Sequence, residues 1–132
     1  MPKGMLHHIE LNVSNLAGTR RFWDWFLNEL GYELYQEWPK GVSWKLGETY
    51  LVFVQTEDHF LNKKFHRKES GLNHLAFHVE NRKAVDSWTL ILKEKGYSIL
   101  YEDRHPFAGG EEYYAVFFED PNRIKVELVA DE

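Results

Sequence analysis

Two histidines and one glutamate are the residues of this chain whose types and positions best suit metal chemistry. His8 and His74 each open a segment with the pattern His, apolar, any, apolar, any, Val, any, Asn, at residues 8–15 and again at 74–81. Glu127 lies in an otherwise apolar run near the end of the sequence, where a carboxylate is costly unless it is paired or bound to a metal. Two imidazoles and one carboxylate can hold one divalent ion (Zn, Ni, Mn, Fe or Co) and leave a coordination position open for substrate.

Other interpretations of these side chains stay open. A single strand histidine is often structural, and Glu127 would be an ordinary surface residue if the opposite face of its strand were the buried one. His7 competes with His8 as a ligand, but in a strand it would point to the opposite face, and only His8 matches the repeated pattern. In the first copy Phe53 is aligned with Glu127, and Gln55, on the same strand face, is a weaker ligand candidate.

The two histidines belong to an internal repeat that covers most of the chain. In each copy an alternating apolar segment predicts a strand, followed by an asparagine suited to cap a helix, at Asn15 and at Asn81. Gly31 and Gly96 stand where the ends of the two helices need a left-handed residue. Three more strand-like segments follow each helix, so the repeat predicts two βαβββ modules.

The predicted fold class is α+β, with the two modules forming an eight-stranded open barrel that has its helices outside and a ligand cavity inside. We expect a single domain over residues 1–132, with module one at about 5–56, a linker at about 57–71 and module two at about 72–130. The later strands are expected at residues 33–37, 43–46 and 50–55, and at 98–102, 113–118 and 124–129. The core-facing helix stripes are expected to be Phe22, Phe26 and Leu30, and Ala84, Trp88, Ile91 and Lys95.

The composition argues against several classes of function. The net charge is −5 and the basic residues are scattered, so we expect no nucleic-acid partner. A short basic cluster at residues 63–68 fits a solvated linker better than an anion site. The chain has no Cys, which excludes disulfides and thiolate metal sites and fits a cytoplasmic location. No apolar run approaches the ~18 residues of a membrane span, so we expect no membrane partner.

The motifs resemble those of the glyoxalase/bleomycin resistance/dioxygenase superfamily, also called the vicinal oxygen chelate superfamily, over residues 6–130. His8 lies in LHHIELNVSNL, His74 in GLNHLAFHVEN and Glu127 in FFEDPNRIKVELV, and a Phe-Trp pair at 22–23 stands where the family often has Phe-Tyr. In that superfamily a metal chelates adjacent oxygens of the substrate and stabilises an enolate, an oxyanion or bound dioxygen. The resemblance implies an enzyme in which His8, His74 and Glu127 bind one divalent metal and Glu127 is also catalytic.

Glyoxalase-like lyase or isomerase chemistry is the reaction that the resemblance favours. The small-molecule substrate would be a vicinal hydroxy-carbonyl compound or a thiol adduct. Lewis-acid stabilisation of an enediolate or oxyanion would let a carboxylate move a proton between adjacent carbons. Glyoxalase I-type enzymes carry a second metal-binding Glu, which would fall at Phe53 here. Its replacement argues against glyoxalase I activity itself and favours a related isomerase or epimerase.

The resemblance also leaves alternative activities open. Thiol transferases of the fosfomycin-resistance type use the same three ligands but usually add basic residues after the last strand, where this sequence is acidic. Extradiol dioxygenases share the triad and commonly have a Tyr at the position of Phe117 and an acid/base His roughly at His59. A metal-free, bleomycin-resistance-like binding protein would lack the triad and trap its ligand between aromatic residues. The candidates for such a cavity are Trp38, Trp44, Tyr50, Tyr113 and Tyr114.

The segment at residues 103–112 has no counterpart of equal length in the first copy. Its Gly109-Gly110 pair suits either a lid over the site or a mobile hairpin loop. Glu111 or Glu112 could transfer a proton if this loop folded inward. We expect a homodimer, with the site formed within one chain or by ligands from different subunits.

Overall fold

The computed structural model describes residues 3–132, which form two compact units. The first unit ends at Lys64 and the second begins at Phe65, so the division falls inside the predicted linker. Each unit contains one copy of the sequence repeat, with one helix packed on one sheet. The α+β class expected from the repeat is confirmed. Among residues 3–132, neither helix has the length and hydropathy needed to cross a bilayer.

The first unit follows the predicted βαβββ order. Its elements are β1 (His8–Val13), α1 (Leu16–Glu29), β2 (Glu33–Trp38), β3 (Gly41–Leu46) and β4 (Thr49–Gln55), followed by a short 3-10 turn at Asp58–Phe60. The strands lie in the order β1-β4-β3-β2, with β1 parallel to β4 and the other pairs antiparallel. The strand β2 forms one edge and is exposed along its whole length.

The helix α1 begins and ends as the sequence predicts. The side chain of Asn15 accepts the N–H of Gly18 at 3.1 Å, and Gly31 adopts a φ of +99° just beyond the last turn. The helix buries Phe22, Trp23, Phe26 and Leu27. The ring of Trp23 lies 5.0 Å from that of Phe53 in β4, and these aromatic residues build the core of the first unit.

The second unit consists of β5 (Leu75–Val79), α2 (Arg82–Glu94), β6 (Ala115–Glu119) and β7 (Lys125–Ala130), with the strands in the order β5-β7-β6. Asn81 caps α2 by accepting the N–H of Ala84 at 2.9 Å. The strands β5 and β7 are parallel, and β6 and β7 are antiparallel. A tight turn precedes β7: Asp120 Oδ1 accepts the N–H groups of Asn122 and Ile124, both at 2.8 Å.

The core-facing stripe of α2 is shifted along the sequence by one residue from the predicted stripe. The helix buries Val85, Thr89 and Leu92, whereas Ile91 is 40% exposed. Thr89 can lie on the buried face because its hydroxyl donates to the backbone oxygen of Val85 at 2.8 Å. A hydroxyl that is satisfied by its own helix does not need a hydrogen bond to water.

The strand expected at residues 98–102 is reduced to a single bridge between Ile99 and Phe118, so the second sheet has three strands rather than four. Leu100 N–H still donates to the Phe117 oxygen at 2.8 Å. Tyr101 then adopts a φ of +57°, a left-handed conformation that no strand can continue. The chain turns away from the sheet at this residue.

Candidate metal centre

The strand β7 carries Glu127 on one face and buried apolar residues on the other. Glu127 is 2% exposed, and its strand neighbours Val126 and Leu128 are fully buried on the opposite face. His74 lies immediately before β5, the strand that pairs with β7. Its Nε2 lies 3.1 Å from Glu127 Oε1. Two of the three expected ligands therefore lie side by side within the second unit. Glu127 is buried, so the alternative in which it is an ordinary surface residue is wrong.

The two ring nitrogens of His74 both face oxygen acceptors. Its Nδ1 lies 2.6 Å from Asn73 Oδ1, and its Nε2 faces the carboxylate of Glu127. A neutral imidazole has only one N–H; with that proton on Nδ1 and donated to Asn73 Oδ1, Nε2 presents the lone pair that a metal ion binds. Metal-binding histidines commonly have their other nitrogen held by such an acceptor.

The pair of donor atoms fits a divalent ion. Ligand atoms that share one ion at bond lengths of about 2.1 Å and bond angles of about 90° to 110° lie roughly 3.0 to 3.4 Å apart. The 3.1 Å separation of His74 Nε2 and Glu127 Oε1 falls within that range. The carboxylate is also buried in an apolar strand, where a bound cation would compensate its charge.

The second oxygen of Glu127 has a partner that the sequence did not indicate. The hydroxyl of Tyr113 donates a hydrogen bond to Glu127 Oε2. This bond, together with burial and the negative charge of the carboxylate, raises the pKa of Tyr113 to about 12. The sequence pattern predicts that Tyr113 lies in a strand, but β6 begins two residues later, at Ala115.

His8 lies in the first unit, in an exposed cluster of rings. It stacks on Tyr50 with the ring centres 4.7 Å apart and an interplanar angle of 3°. Its Nδ1 lies 2.9 Å from Nδ1 of His7, whose ring also contacts Tyr50. The expectation that His7 points away from His8 is wrong, because β1 begins only at His8 and strand alternation does not apply before it.

The expected alignment of the last strands also changes. His8 pairs with Tyr50, whereas the residue after His74, Leu75, pairs with Val126. Taking His8 and His74 as equivalent, Glu127 corresponds to Val52 rather than Phe53. Either residue is apolar, so the conclusion that the first copy lacks a second carboxylate ligand is unchanged.

Gln55, the weaker ligand candidate, is engaged elsewhere. Its Oε1 accepts the N–H of Leu16 at 2.9 Å, and its Nε2 donates to the Ser14 oxygen at 2.8 Å. These bonds fix the connection between β1 and α1. Gln55 therefore has a structural role in the first unit. His59, the candidate acid/base residue from the sequence, contacts Phe60 in the 3-10 turn, with ring centres 4.1 Å apart and the rings tilted by 44°.

The site face of the second sheet also carries a lysine and two aromatic rings. Phe117, which pairs with Glu127 across the sheet, has its ring centre 6.3 Å from that of His74. Lys125 Nζ lies 5.1 Å from the centre of the Phe117 ring and donates to the hydroxyl of Tyr101 at 2.9 Å. That hydrogen bond, above all, lowers the pKa of Tyr101.

The loop at residues 103–112 packs against α2. The guanidinium carbon of Arg82, the first residue of α2, lies 5.8 Å from the ring centre of Phe107 and 4.9 Å from that of Tyr114. Glu111 and Glu112 are exposed. Phe107 therefore holds this loop in contact with α2.

Among residues 3–132, neither unit by itself gathers three His, Asp or Glu side chains into a metal-holding group. The second unit supplies two candidate ligands, His74 and Glu127, and the first unit contains His8. The role of His8 as the third ligand stays a prediction.

Comparison with known proteins identifies the family. The family model for the glyoxalase/bleomycin resistance protein/dioxygenase superfamily matches residues 5–128. The chain belongs to this superfamily. The uncharacterized protein YqjT of Bacillus subtilis (strain 168) is 61% identical over 125 residues, which cover 95% of this chain and 98% of that protein.

Solved structures of other superfamily members share the fold. A Bacillus halodurans protein that has been suggested to be a glyoxalase is 66% identical, with a TM-score of 0.95 over 97% of this chain and 96% of that one. A fosfomycin resistance protein from Listeria monocytogenes is 25% identical, with a TM-score of 0.70 over 100% of this chain and 94% of that one. The expected superfamily is thereby confirmed.

Proposed function

We propose that the protein is a metal-dependent lyase or isomerase that acts on a small substrate with two adjacent oxygens, such as a hydroxy-carbonyl compound or a thiol adduct. The observation that carries this proposal is the buried carboxylate of Glu127, which has His74 at one oxygen and Tyr113 at the other. Buried charges of this kind are rare unless they are paired or bind a cation.

His74 Nε2 and Glu127 Oε1 would hold the ion, and His8 would be the third ligand. A bound divalent ion of this type supplies Lewis acidity toward a carbonyl or hydroxyl oxygen of the substrate. Asn73 orients the imidazole of His74 through its Nδ1. The ring of Phe117 lies edge-on to that imidazole, with the ring centres 6.3 Å apart.

Glu127 is the group that would move the substrate proton. Because Oε1 would hold the ion, the proton would be taken and returned at Oε2, whose second lone pair is left by the hydrogen bond from Tyr113. General base catalysis requires a carboxylate within hydrogen-bond distance of the proton that it abstracts. The reaction would then be a proton transfer between adjacent carbons of the bound substrate.

Metal analysis of protein purified without an affinity tag tests this proposal. We expect about one metal ion per chain in the wild type and a loss of metal in His8→Ala, His74→Ala and Glu127→Ala. His78→Ala is the matched control, because His78 is an exposed histidine of the same unit that bonds Asp131. A wild-type protein that takes up none of Zn, Ni, Mn or Fe(II) would contradict the proposal and favour a metal-free binding protein.

The assembly is part of the proposal: we propose a cytoplasmic homodimer, which light scattering would detect as a mass near twice the 15.7 kDa of one chain. Mixing His8→Ala chains with Glu127→Ala chains then distinguishes the two forms of the site. If the ligands come from different subunits, each mixed dimer regains one complete site and binds metal. If the site forms within one chain, mixing restores no metal.

Thiol transfer of the fosfomycin-resistance type is a second candidate, because the chain shares its fold with a fosfomycin resistance protein from Listeria monocytogenes. Loaded with its metal, the protein would be assayed with hydroxy-carbonyl compounds, with thiols plus an epoxide, and with catechols. Proton exchange at a carbon adjacent to the carbonyl, measured in deuterated water, identifies the lyase or isomerase. Thiol consumption that depends on the epoxide identifies the transferase.

A further inference from the structure

The two oxygens of the Glu127 carboxylate are engaged by different residues. Oε1 lies 3.1 Å from His74 Nε2, whereas Oε2 accepts the hydrogen bond of the Tyr113 hydroxyl. A donor that occupies Oε2 leaves Oε1 as the oxygen available to a metal ion. Tyr113 therefore determines which oxygen of Glu127 faces His74, and it favours attachment through one oxygen over attachment through both.

The position of the Tyr113 ring depends on a glycine. A Cβ atom at Gly109 would lie 2.4 Å from Cδ1 and 2.9 Å from Cε1 of Tyr113, closer than side chains approach in folded proteins. The next residue, Gly110, has a φ of +150°, and its oxygen accepts the N–H of Tyr113 at 3.2 Å. The Gly-Gly pair thus supplies both the space for the ring and the turn that leads to it.

The residues around Tyr113 are anchored on the other side of the sheet. The hydroxyl of Tyr114 donates to Asp86 in α2 at 2.5 Å, and Arg82 lies over the rings of Tyr114 and Phe107. The hydroxyl of Tyr114 thus bonds the helix, while the hydroxyl of Tyr113 bonds Glu127 on the site face.

We infer that Tyr113 is a positioning residue for Glu127, presented by the 103–112 loop, and that it sets the metal affinity of the centre. This inference rests on the proposed function. Groups that hold metal ligands in place typically contribute roughly 10- to 100-fold to metal affinity. It also gives this loop a role: its length and its two glycines serve to place one phenol on one carboxylate oxygen.

Two phenylalanine substitutions test the inference with a matched control. Tyr113→Phe removes the hydroxyl that touches Glu127, and Tyr114→Phe removes the neighbouring hydroxyl that touches Asp86. We expect Tyr113→Phe to bind Zn²⁺ about 10- to 100-fold more weakly than the wild type in competition with a chelator, and Tyr114→Phe to change the affinity less than about threefold. Equal affinities of Tyr113→Phe and wild type would overturn the inference.

An infrared measurement on metal-free protein separates this inference from the proposed function. The carboxylate stretch that disappears in Glu127→Gln should shift in Tyr113→Phe and stay in place in Tyr114→Phe. If the wild type takes up no Zn²⁺ but the band shifts, the proposed function is wrong and Tyr113 still positions the carboxylate. If the band does not move, Tyr113 has no positioning role.

Discussion

The space that Gly109 leaves for Tyr113 leads to a prediction about stability. The Cβ of an alanine at residue 109 would meet Tyr113 Cδ1 at 2.4 Å, whereas ordinary contacts begin at 3.4 Å. The ring would have to retreat by about 1 Å, which breaks the hydrogen bond to Glu127. The backbone at Gly109 lies outside the left-handed region, so alanine meets no conformational penalty there and the clash with the ring is the main cost.

The magnitude follows from two opposing contributions. A hydrogen bond to a charged acceptor stabilises by about 1.5 to 3 kcal/mol. Because Tyr113 is 40% exposed, we take the lower part of that range, about 1.5 to 2 kcal/mol. Alanine restricts the unfolded chain more than glycine and so stabilises by about 0.4 to 1 kcal/mol. Gly109→Ala should therefore lower the free energy of unfolding by roughly 0.5 to 1.6 kcal/mol.

The assay is a double-mutant cycle in urea with a chelator present. In the Tyr113→Ala background no ring is left to clash, and Gly109→Ala should then stabilise the protein by about 0.4 to 1 kcal/mol. The sign of the substitution's effect reverses between the two backgrounds. If Gly109→Ala changes the free energy of unfolding by the same amount in both, the steric reasoning is refuted.

Three further predictions concern a helix cap and two titrating groups of the second unit. Asn81→Ala removes the acceptor for the first turn of α2 and should lower the free energy of unfolding by about 1 kcal/mol, whereas Asn81→Asp should retain most of it. The hydrogen bond from Lys125 lowers the pKa of Tyr101, so ultraviolet titration should show one phenol that ionises at a lower pH than the others. This titration should be absent in Tyr101→Phe and should move to higher pH in Lys125→Met. Burial, together with the charge of a nearby lysine, lowers the pKa of His105. The unfolded chain therefore binds a proton that the folded chain does not, and stability should fall as the pH drops through about 6.5, less so in His105→Gln.

Each of these three expectations has a result that contradicts it. Equal urea midpoints for Asn81→Ala and the wild type would show that the cap contributes nothing. If the phenol titration at low pH is still present in Tyr101→Phe, it belongs to another tyrosine. If His105→Gln loses as much stability as the wild type between pH 7.5 and pH 5.5, other groups cause the acid sensitivity.

The helix boundaries were predictable because they depend on local chemistry, and the two adjacent candidate ligands were predictable from the repeat. Asn15 and Asn81 cap their helices, and Gly31 and Gly96 end them, through contacts within a few residues of the chain. His74 and Glu127 were found by combining the repeat with the cost of a buried carboxylate. These signals need no knowledge of which strands pair.

The features that escaped prediction depend on contacts that the sequence pattern does not show. The strand expected at residues 98–102 stops at Tyr101, whose phenol bonds Lys125 in β7. The stripe of α2 was misplaced because Thr89 satisfies its hydroxyl within the helix. The hydrogen bond between Tyr113 and Glu127 requires a particular loop conformation. Two glycines make that conformation possible, but their presence in the sequence does not predict it.

The turn at Asp120 has a consequence for how this protein can be re-engineered. Its two hydrogen bonds fix where β7 begins, and alternation along the strand then decides which side chains face His74. Insertion or deletion of a single residue between Asp120 and Lys125 would exchange the faces, sending Glu127 into the apolar core and Val126 to the site. Directed evolution that varies loop length is therefore better aimed at the linker around residues 57–71, where a change in length leaves the alternation of every strand intact.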